Sequence, residues 1–164
     1  MTTGDDYWFL STLVSVRISH RASADGIAVL EHLVPPGDSP PLHLHRTQDE
    51  IFQVLDGLFQ FRLGEETLLR GPGSMVLVPK GVPHSYRVES VTNGRFITIT
   101  HGGDFEDFVR LAGRPAQELT LPEHDAPPTG AAMQTLIQQA GQFGIEFLGP
   151  PLEPHRRLFA GGES

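Results

Sequence analysis

The chain has 164 residues, and this length predicts a single domain over residues 1–164. It contains no cysteine, which excludes disulfides, thiolate metal sites and cysteine nucleophiles. The net charge is −8, so the acidic surface argues against binding to nucleic acid or to an anionic membrane. Met1–Asp6 is polar and acidic and lacks the features of a secretory signal, so we expect a cytoplasmic protein.

The segment from Trp8 to Thr100 consists of short strand-like runs separated by turn residues, which predicts an all-β antiparallel sandwich or barrel. Asp56-Gly57 is the strongest of the hairpin signals along this segment. In chain order, the predicted strands are Phe9–Ile18, Gly26–Val34, Leu42–His45, Glu50–Leu55, Leu58–Leu63, Ser74–Val78, Ser85–Val91 and Arg95–Thr100.

The periodicity of the apolar residues changes after Gly102-Gly103. Asp104 is predicted to cap a helix that ends at Gly113, and a second helix is predicted to end at Gly141. Their apolar stripes, interpreted as packing faces, are Phe105, Phe108, Val109 and Ala112 in the first helix and Met133, Leu136, Ile137 and Ala140 in the second. We therefore expect a helical extension over about 104–148 and a loose tail over 149–164.

Four residues are candidates for chemistry because of their types and spacing. His43 and His45 lie two apart in an extended run, so their side chains share one face of a strand. Glu50 begins the next predicted strand, and His84 follows a Gly-Val-Pro turn. Three imidazoles and one carboxylate suit a divalent first-row metal. A histidine pair on a strand is more often structural, but here glycines and prolines frame it.

The frame reads Gly37-x5-His43-x-His45-x4-Glu50-x6-Gly57, and a second frame reads Gly73-x5-Pro79-x-Gly81-x2-His84. In this form the sequence resembles the two motifs of the cupin superfamily, except that Val88 stands at the final asparagine of the second motif. The resemblance implies a small cupin barrel, a double-stranded β-helix or jelly roll, over about 8–101 with one or two C-terminal helices. It also implies one divalent metal per chain, with His43, His45, Glu50 and His84 as ligands. Fe, Mn, Ni, Co, Cu and Zn all suit this ligand set.

Strand alternation predicts which side chains face the metal and line a pocket for a small-molecule substrate. Most of the predicted lining is aromatic or aliphatic, which suits a flat aromatic or enolic ligand with an oxygen that binds metal. The phenylalanines could equally be plain barrel core. The predicted substrate-binding residues are Phe52, Val54, Phe59, Phe61, Tyr86 and Val88. The histidines outside both frames, His20, His32, His101, His124 and His155, are interpreted as surface or supporting residues.

Within the cupins, the chain is most similar to single-domain members related to quercetin 2,3-dioxygenase. The similarity lies in Pro35-Pro36-Gly37, in the spacing of His45 and Glu50, and in the stretch Gln142–Pro150. It implies a metal-dependent dioxygenase that uses dioxygen, with Glu50 as the catalytic base, and it implies a homodimer. Two alternatives stay open: a cupin isomerase or decarboxylase, and a metal-bearing small-molecule binding module without turnover.

Overall fold

Two antiparallel β-sheets form a sandwich in the computed structural model, which describes residues 5–123 and 127–156. The strands of the seven-stranded sheet are β1 (Asp6–Phe9), β2 (Thr12–Ile18), β3 (Ile27–Val34), β5 (Glu50–Asp56), β8 (Met75–Val78), β10 (Gly94–His101) and β11 (Arg114–Pro115). Those of the five-stranded sheet are β4 (Leu42–His45), β6 (Phe59–Leu63), β7 (Glu66–Arg70), β9 (His84–Val88) and β12 (Ile145–Gly149). The order of the strands is β11-β1-β2-β3-β10-β5-β8 in the first sheet and β12-β4-β9-β6-β7 in the second. The predicted all-β antiparallel architecture is confirmed.

Alternating burial along the strands explains why the two sheets pack face to face. Every second residue of β3, β5 and β10 is buried, and the residues between them are partly or fully exposed. The inward faces of both sheets meet in one aromatic cluster, in which neighbouring ring centroids lie 5.0–6.3 Å apart. Its aromatic members are Phe52, Phe59, Phe61, Tyr86 and Phe96.

The predicted first strand, Phe9–Ile18, is two strands instead of one. β1 and β2 form a hairpin whose turn contains Leu10 with a φ of 54°, a left-handed conformation that few non-glycine residues adopt. The sequence shows no glycine, proline or asparagine at this turn, so the usual signal was missing. β7 was also not predicted.

The C-terminal extension contains two helices, α1 (Asp104–Ala112) and α2 (Gly130–Gln142). Gly113 ends α1 as predicted, but the N-cap residue is Gly103, and Asp104 is already inside the first turn, where its charge suits the helix dipole. The extension is not helical to residue 148, because Gly144, with a φ of 67°, turns the chain into β12. That strand joins β4 at the edge of the five-stranded sheet.

The segment after β12 is held by hydrogen bonds and differs from the expected loose tail. Pro150 accepts a hydrogen bond from the Leu42 N–H at 3.2 Å, and the Leu152 N–H donates to Ser39 at 2.9 Å. The rest of the tail, residues 157–164, lies outside the described residues. Across the part of the chain that is described, neither helix has the length and apolar character needed to span a membrane.

Candidate metal centre

Three histidine side chains converge because of the pairing between β4 and β9. His43 and His45 point to the same face of β4, and the register of the two strands places His84 opposite His43. The ring centroids are 4.3 Å apart for His43 and His84, 5.3 Å for His45 and His84, and 5.4 Å for His43 and His45. One ligand atom of each residue lies within 4.8 Å of the others, a spacing that suits joint coordination of a metal.

Glu50 reaches this cluster from the opposite sheet, where it begins β5. Its Oε2 lies 3.2 Å from His84 Nε2 and 3.8 Å from His45 Nε2. The side chain is nearly inaccessible to solvent, with 3% of the residue exposed. The structure thus brings together all four residues that the sequence identified as metal ligands, the carboxylate lying beside the three imidazoles.

Backbone carbonyls determine which imidazole nitrogens face the centre. The Nδ1 atoms of His43 and His84 lie 2.8 Å from the Pro41 oxygen and 2.9 Å from the Val82 oxygen. A carbonyl only accepts, so each Nδ1 carries a proton and each Nε2 is directed towards the centre. His84 Nε2 lies 3.2 Å from the Glu50 carboxylate, and a proton or a metal ion between the two atoms satisfies both. The donor set fits a divalent metal.

The charge state of the cluster also suits a metal. Burial, together with His84 and His45, lowers the pKa of His43 to about 3, and burial likewise lowers the pKa of His45. Both imidazoles are therefore neutral at pH 7, which is the form that binds metal. Burial raises the pKa of Glu50, but the neighbouring imidazoles outweigh it and lower that pKa to about 2, so the carboxylate is ionised.

A cavity of about 620 Å³ opens beside the cluster, and His43, His45 and Glu50 form part of its wall. Most of the remaining wall is apolar. The C-terminal extension closes one side of it with residues from α1, α2 and β12, namely Phe105, Phe108, Met133, Leu136, Ile145 and Phe147. The helical stripes that were interpreted as packing faces therefore also enclose the space next to the histidine cluster.

The six predicted substrate contacts divide into two groups. Phe52 and Tyr86 line the cavity, each two residues beyond a predicted metal ligand on its strand. The other four, Val54, Phe59, Phe61 and Val88, face inward as expected but lie in the aromatic core below the cavity and are not part of its wall. They are at most 1% exposed, so any effect they have on a ligand is indirect, through Phe52 and Tyr86.

Two polar residues of the cavity wall were missed as candidates. His32 lies on the inward face of β3, stacked on Phe96 at 4.5 Å and 3.0 Å from the Thr98 hydroxyl. Asp38 follows the Pro-Pro-Gly turn after β3. The inward position of His32 could have been inferred from alternation with Leu30 and Val34, whereas no pattern in the sequence points Asp38 into a cavity.

Comparison with known proteins agrees with this geometry. The family model of the cupin domain matches residues 30–100, which include both histidine frames. The chain is 29% identical over 121 residues to quercetin 2,3-dioxygenase of Bacillus subtilis. That match covers 74% of this chain but only 36% of the enzyme, so the chain spans about a third of its relative's length.

Two solved structures show the same fold. A predicted oxalate decarboxylase from Thermotoga maritima has a TM-score of 0.56 and 19% identity, over 62% of this chain and 96% of that one. An RmlC-like cupin from Shewanella frigidimarina has a TM-score of 0.52 and 20% identity, over 61% and 83% of the two chains. Residues 30–100 match the cupin domain model, and the paired sheets and the three-histidine cluster agree with that match.

Proposed function

We propose that the chain is a metal-dependent dioxygenase of the quercetinase type, which acts on an aromatic or enolic small molecule. The observation that carries the proposal is the three-histidine, one-carboxylate cluster set in the wall of a largely apolar cavity. The sequence similarity to quercetin 2,3-dioxygenase supports the choice of reaction. His43, His45, His84 and Glu50 would hold one divalent metal per chain, which when bound supplies Lewis acidity and redox chemistry with dioxygen.

The residues of this chain have separate tasks in such a reaction. Glu50 accepts the proton of the substrate's enolic hydroxyl, because its side chain is the carboxylate at the cluster and forms part of the cavity wall. Phe52 and Tyr86 hold the flat substrate against the cluster. The apolar side chains of the C-terminal extension exclude water from the reacting atoms.

Oxygen consumption by the metal-loaded protein tests the proposal directly. With flavonols such as quercetin and kaempferol, we expect dioxygen uptake equal to the substrate consumed, and no uptake with the His43→Ala, His45→Ala double variant. Substrate conversion without oxygen uptake would point instead to an isomerase or decarboxylase. Flavonol binding without conversion under any of the candidate metals would point to a binding module.

We also propose that the chain forms a homodimer through the outer face of the seven-stranded sheet. Apolar side chains lie side by side in register across five strands of this face, at Leu77, Ile51, Ile99, Val29 and Ile18. Leu77 and Ile18 are 57% and 49% exposed, and Met75 beside the row is 57% exposed. A continuous apolar stripe of this kind supports association with a second copy.

A further inference from the structure

We propose that Asp38, together with Ser11 and Tyr86, forms a second polar subsite of the cavity, which accepts a hydrogen bond from a hydroxyl group of the substrate. The three residues lie in the same cavity wall but in different elements: the β1–β2 turn, the loop after β3, and β9. The inference rests on the proposed function in one respect. It assumes that the same substrate has its metal-binding oxygen at the three histidines and this hydroxyl at its other end.

Hydrogen bonds fix the Asp38 carboxylate in place. The Ser11 hydroxyl donates to Oδ1, and the Tyr86 hydroxyl donates to Oδ2 at 3.3 Å. The backbone of Asp38 is held as well, because its N–H donates to the Pro35 carbonyl and its own carbonyl accepts from the Val88 N–H at 3.0 Å. The side chain therefore has a defined position on the cavity wall before any ligand enters.

The turn that carries Ser11 adds an independent observation. Leu10 precedes Ser11 with a φ of 54°, the one left-handed non-glycine residue in the described part of the chain. A leucine in this conformation is strained and is retained only where its surroundings require it. Here the strained turn brings the Ser11 hydroxyl to the Asp38 carboxylate. The backbone strain therefore lies next to the hydrogen bond that connects the β1–β2 turn to the loop after β3.

The hydrogen-bonding capacity of the carboxylate leaves room for a ligand. An ionised carboxylate offers roughly four lone-pair positions, and Ser11 and Tyr86 occupy two of them. Burial raises the pKa of Asp38, while the two hydroxyl donors and the nearby Arg87 cation oppose that rise. An acceptor in these surroundings binds a hydroxyl or N–H donor and repels an anion.

The position of Tyr86 relates the subsite to the proposed metal centre. His84 and Tyr86 point to the same face of β9 two residues apart, which places their Cα atoms about 7 Å from each other. A ligand that spans both needs a metal-binding oxygen at one end and a donor group at the other, with an apolar body between them. Polyphenols with hydroxyl groups at both ends have this form, whereas a carboxylate at the second end would face Asp38.

Three small probes test the subsite on the full-length chain in its metal-free form, in which no metal competes for their oxygen atoms: phenol, its methyl ether anisole, and benzoate. Dissociation constants come from ligand-observed NMR at pH 7.5. The wild-type protein should bind phenol about tenfold more tightly than anisole, because only phenol donates a hydrogen bond to the carboxylate, and it should bind benzoate more weakly than anisole. In Asp38→Ala the preference for phenol over anisole should fall to within about twofold.

Asp38→Asn preserves the shape of the side chain, and it tests the subsite if Asp38→Ala does not fold. It keeps one acceptor oxygen and loses the charge, so benzoate should bind about tenfold more tightly than to the wild-type protein while phenol changes less. Asp56→Asn, a carboxylate in the β5–β6 hairpin outside the cavity wall, is the matched control and should bind all three probes like the wild type. Metal content and unfolding midpoints verify each preparation.

Three results would overturn the subsite: no phenol binding to the wild-type protein, a phenol preference unchanged in Asp38→Ala, or benzoate binding that does not respond to Asp38→Asn. The probe experiment also separates this inference from the proposed function. A phenol preference that depends on Asp38, without oxygen uptake on flavonols, would retain the subsite and reject the dioxygenase. Oxygen uptake on flavonols with no preference between phenol and anisole would retain the dioxygenase and reject the subsite.

Discussion

His43 and His45 are the pair of side chains on which metal binding depends most directly. Replacing both with alanine removes two neutral imidazoles and leaves His84 and Glu50, too few ligands for a divalent first-row metal at a protein site. We expect the double variant to retain less than a tenth of the wild-type metal content, measured by elemental analysis after dialysis. His101→Ala removes an exposed imidazole at the end of β10 and should keep full content. One metal per chain in the double variant would refute the assignment.

Glu50 should affect turnover more than metal retention. The three imidazoles already form a site, and the carboxylate is the group we expect to act as the base. Glu50→Gln keeps the shape and removes the basicity, so it should retain most of the metal and lose turnover by about 10²–10⁴-fold. Metal content and oxygen uptake are measured on the same preparation. Full activity would remove Glu50 from catalysis, and parallel loss of metal and activity would make it a structural ligand alone.

His32 should make the folded state sensitive to mild acid. Burial lowers its pKa from 6.5 to about 4, against the smaller opposing effects of Glu50 and Glu31. Between these pH values the unfolded chain binds a proton at His32 that the folded chain does not, so stability is lost as the pH falls through this range. The contribution is fully present above pH 6.5. From pH 7 to pH 5, the loss assigned to this residue is about 2 kcal/mol.

Urea unfolding of the metal-free protein at the two pH values measures this effect. The free energy of unfolding of His32→Gln should fall by about 2 kcal/mol less than that of the wild type. His101→Gln, which changes an exposed imidazole, should follow the wild-type loss. Equal losses in wild type and His32→Gln would show that His32 titrates alike in the folded and unfolded states.

At the residue scale, the sequence could predict which four side chains cluster but not their surroundings. His43, His45, Glu50 and His84 stand in spaced frames whose glycines and prolines mark the turns, and short-range spacing was enough to group them. Asp38 and Ser11 meet across 27 positions of the chain, through a turn without glycine, proline or asparagine. Such a contact depends on how two strands pair, which local propensity does not encode.

The start of β10 packs so closely against β6 that only glycine fits at position 94. A Cβ on Gly94 would lie 2.4 Å from Phe59 Cζ, and the Phe59 ring is fully buried among Phe61, Tyr86 and Phe96. Because the ring has no free direction in which to move, Gly94→Ala should lower the free energy of unfolding by about 1–3 kcal/mol. Urea denaturation monitored by circular dichroism measures the change.

Gly71→Ala is the matched control for this substitution. A Cβ at Gly71 meets no atom within 4 Å, and the backbone there is not left-handed. The free energy of unfolding of Gly71→Ala should therefore stay within about 0.5 kcal/mol of the wild-type value. Equal midpoints for the two variants would show that Phe59 relaxes without cost.

At the element scale, strands bounded by turn residues were predicted well, and strands defined by long-range pairing were not. β5 and β6 flank Asp56-Gly57, and their existence follows from that local signal. β12 was assigned to a helical extension, because its sequence is short and it exists as a strand only by pairing with β4, about 100 residues earlier. This pairing sets Phe147 edge-on to the His43 ring, with the ring centroids 6.3 Å apart.

At the scale of the whole molecule, the two faces of the seven-stranded sheet have different roles. The inner face bears Glu50, Phe52 and His32 and forms part of the cavity wall. The outer face carries the apolar row that ends at Leu77 and Ile18, together with the nearby exposed Met75. Burying this row against a second copy leaves the cavity wall untouched, so the proposed dimer and the proposed active site do not compete for the same surface.

Leu77→Glu should dissociate the proposed dimer. The side chain is 57% exposed on the edge strand β8, and a two-fold arrangement would place two new carboxylates in or beside the same apolar interface. We expect sedimentation velocity to show a dimer for the wild type at tens of micromolar and a monomer for the variant, with unchanged circular dichroism. Val91→Glu alters a residue that is 94% exposed in the loop after β9 and should leave the dimer intact. A monomeric wild type, or a Leu77→Glu variant that sediments as a dimer, would exclude this face as the interface.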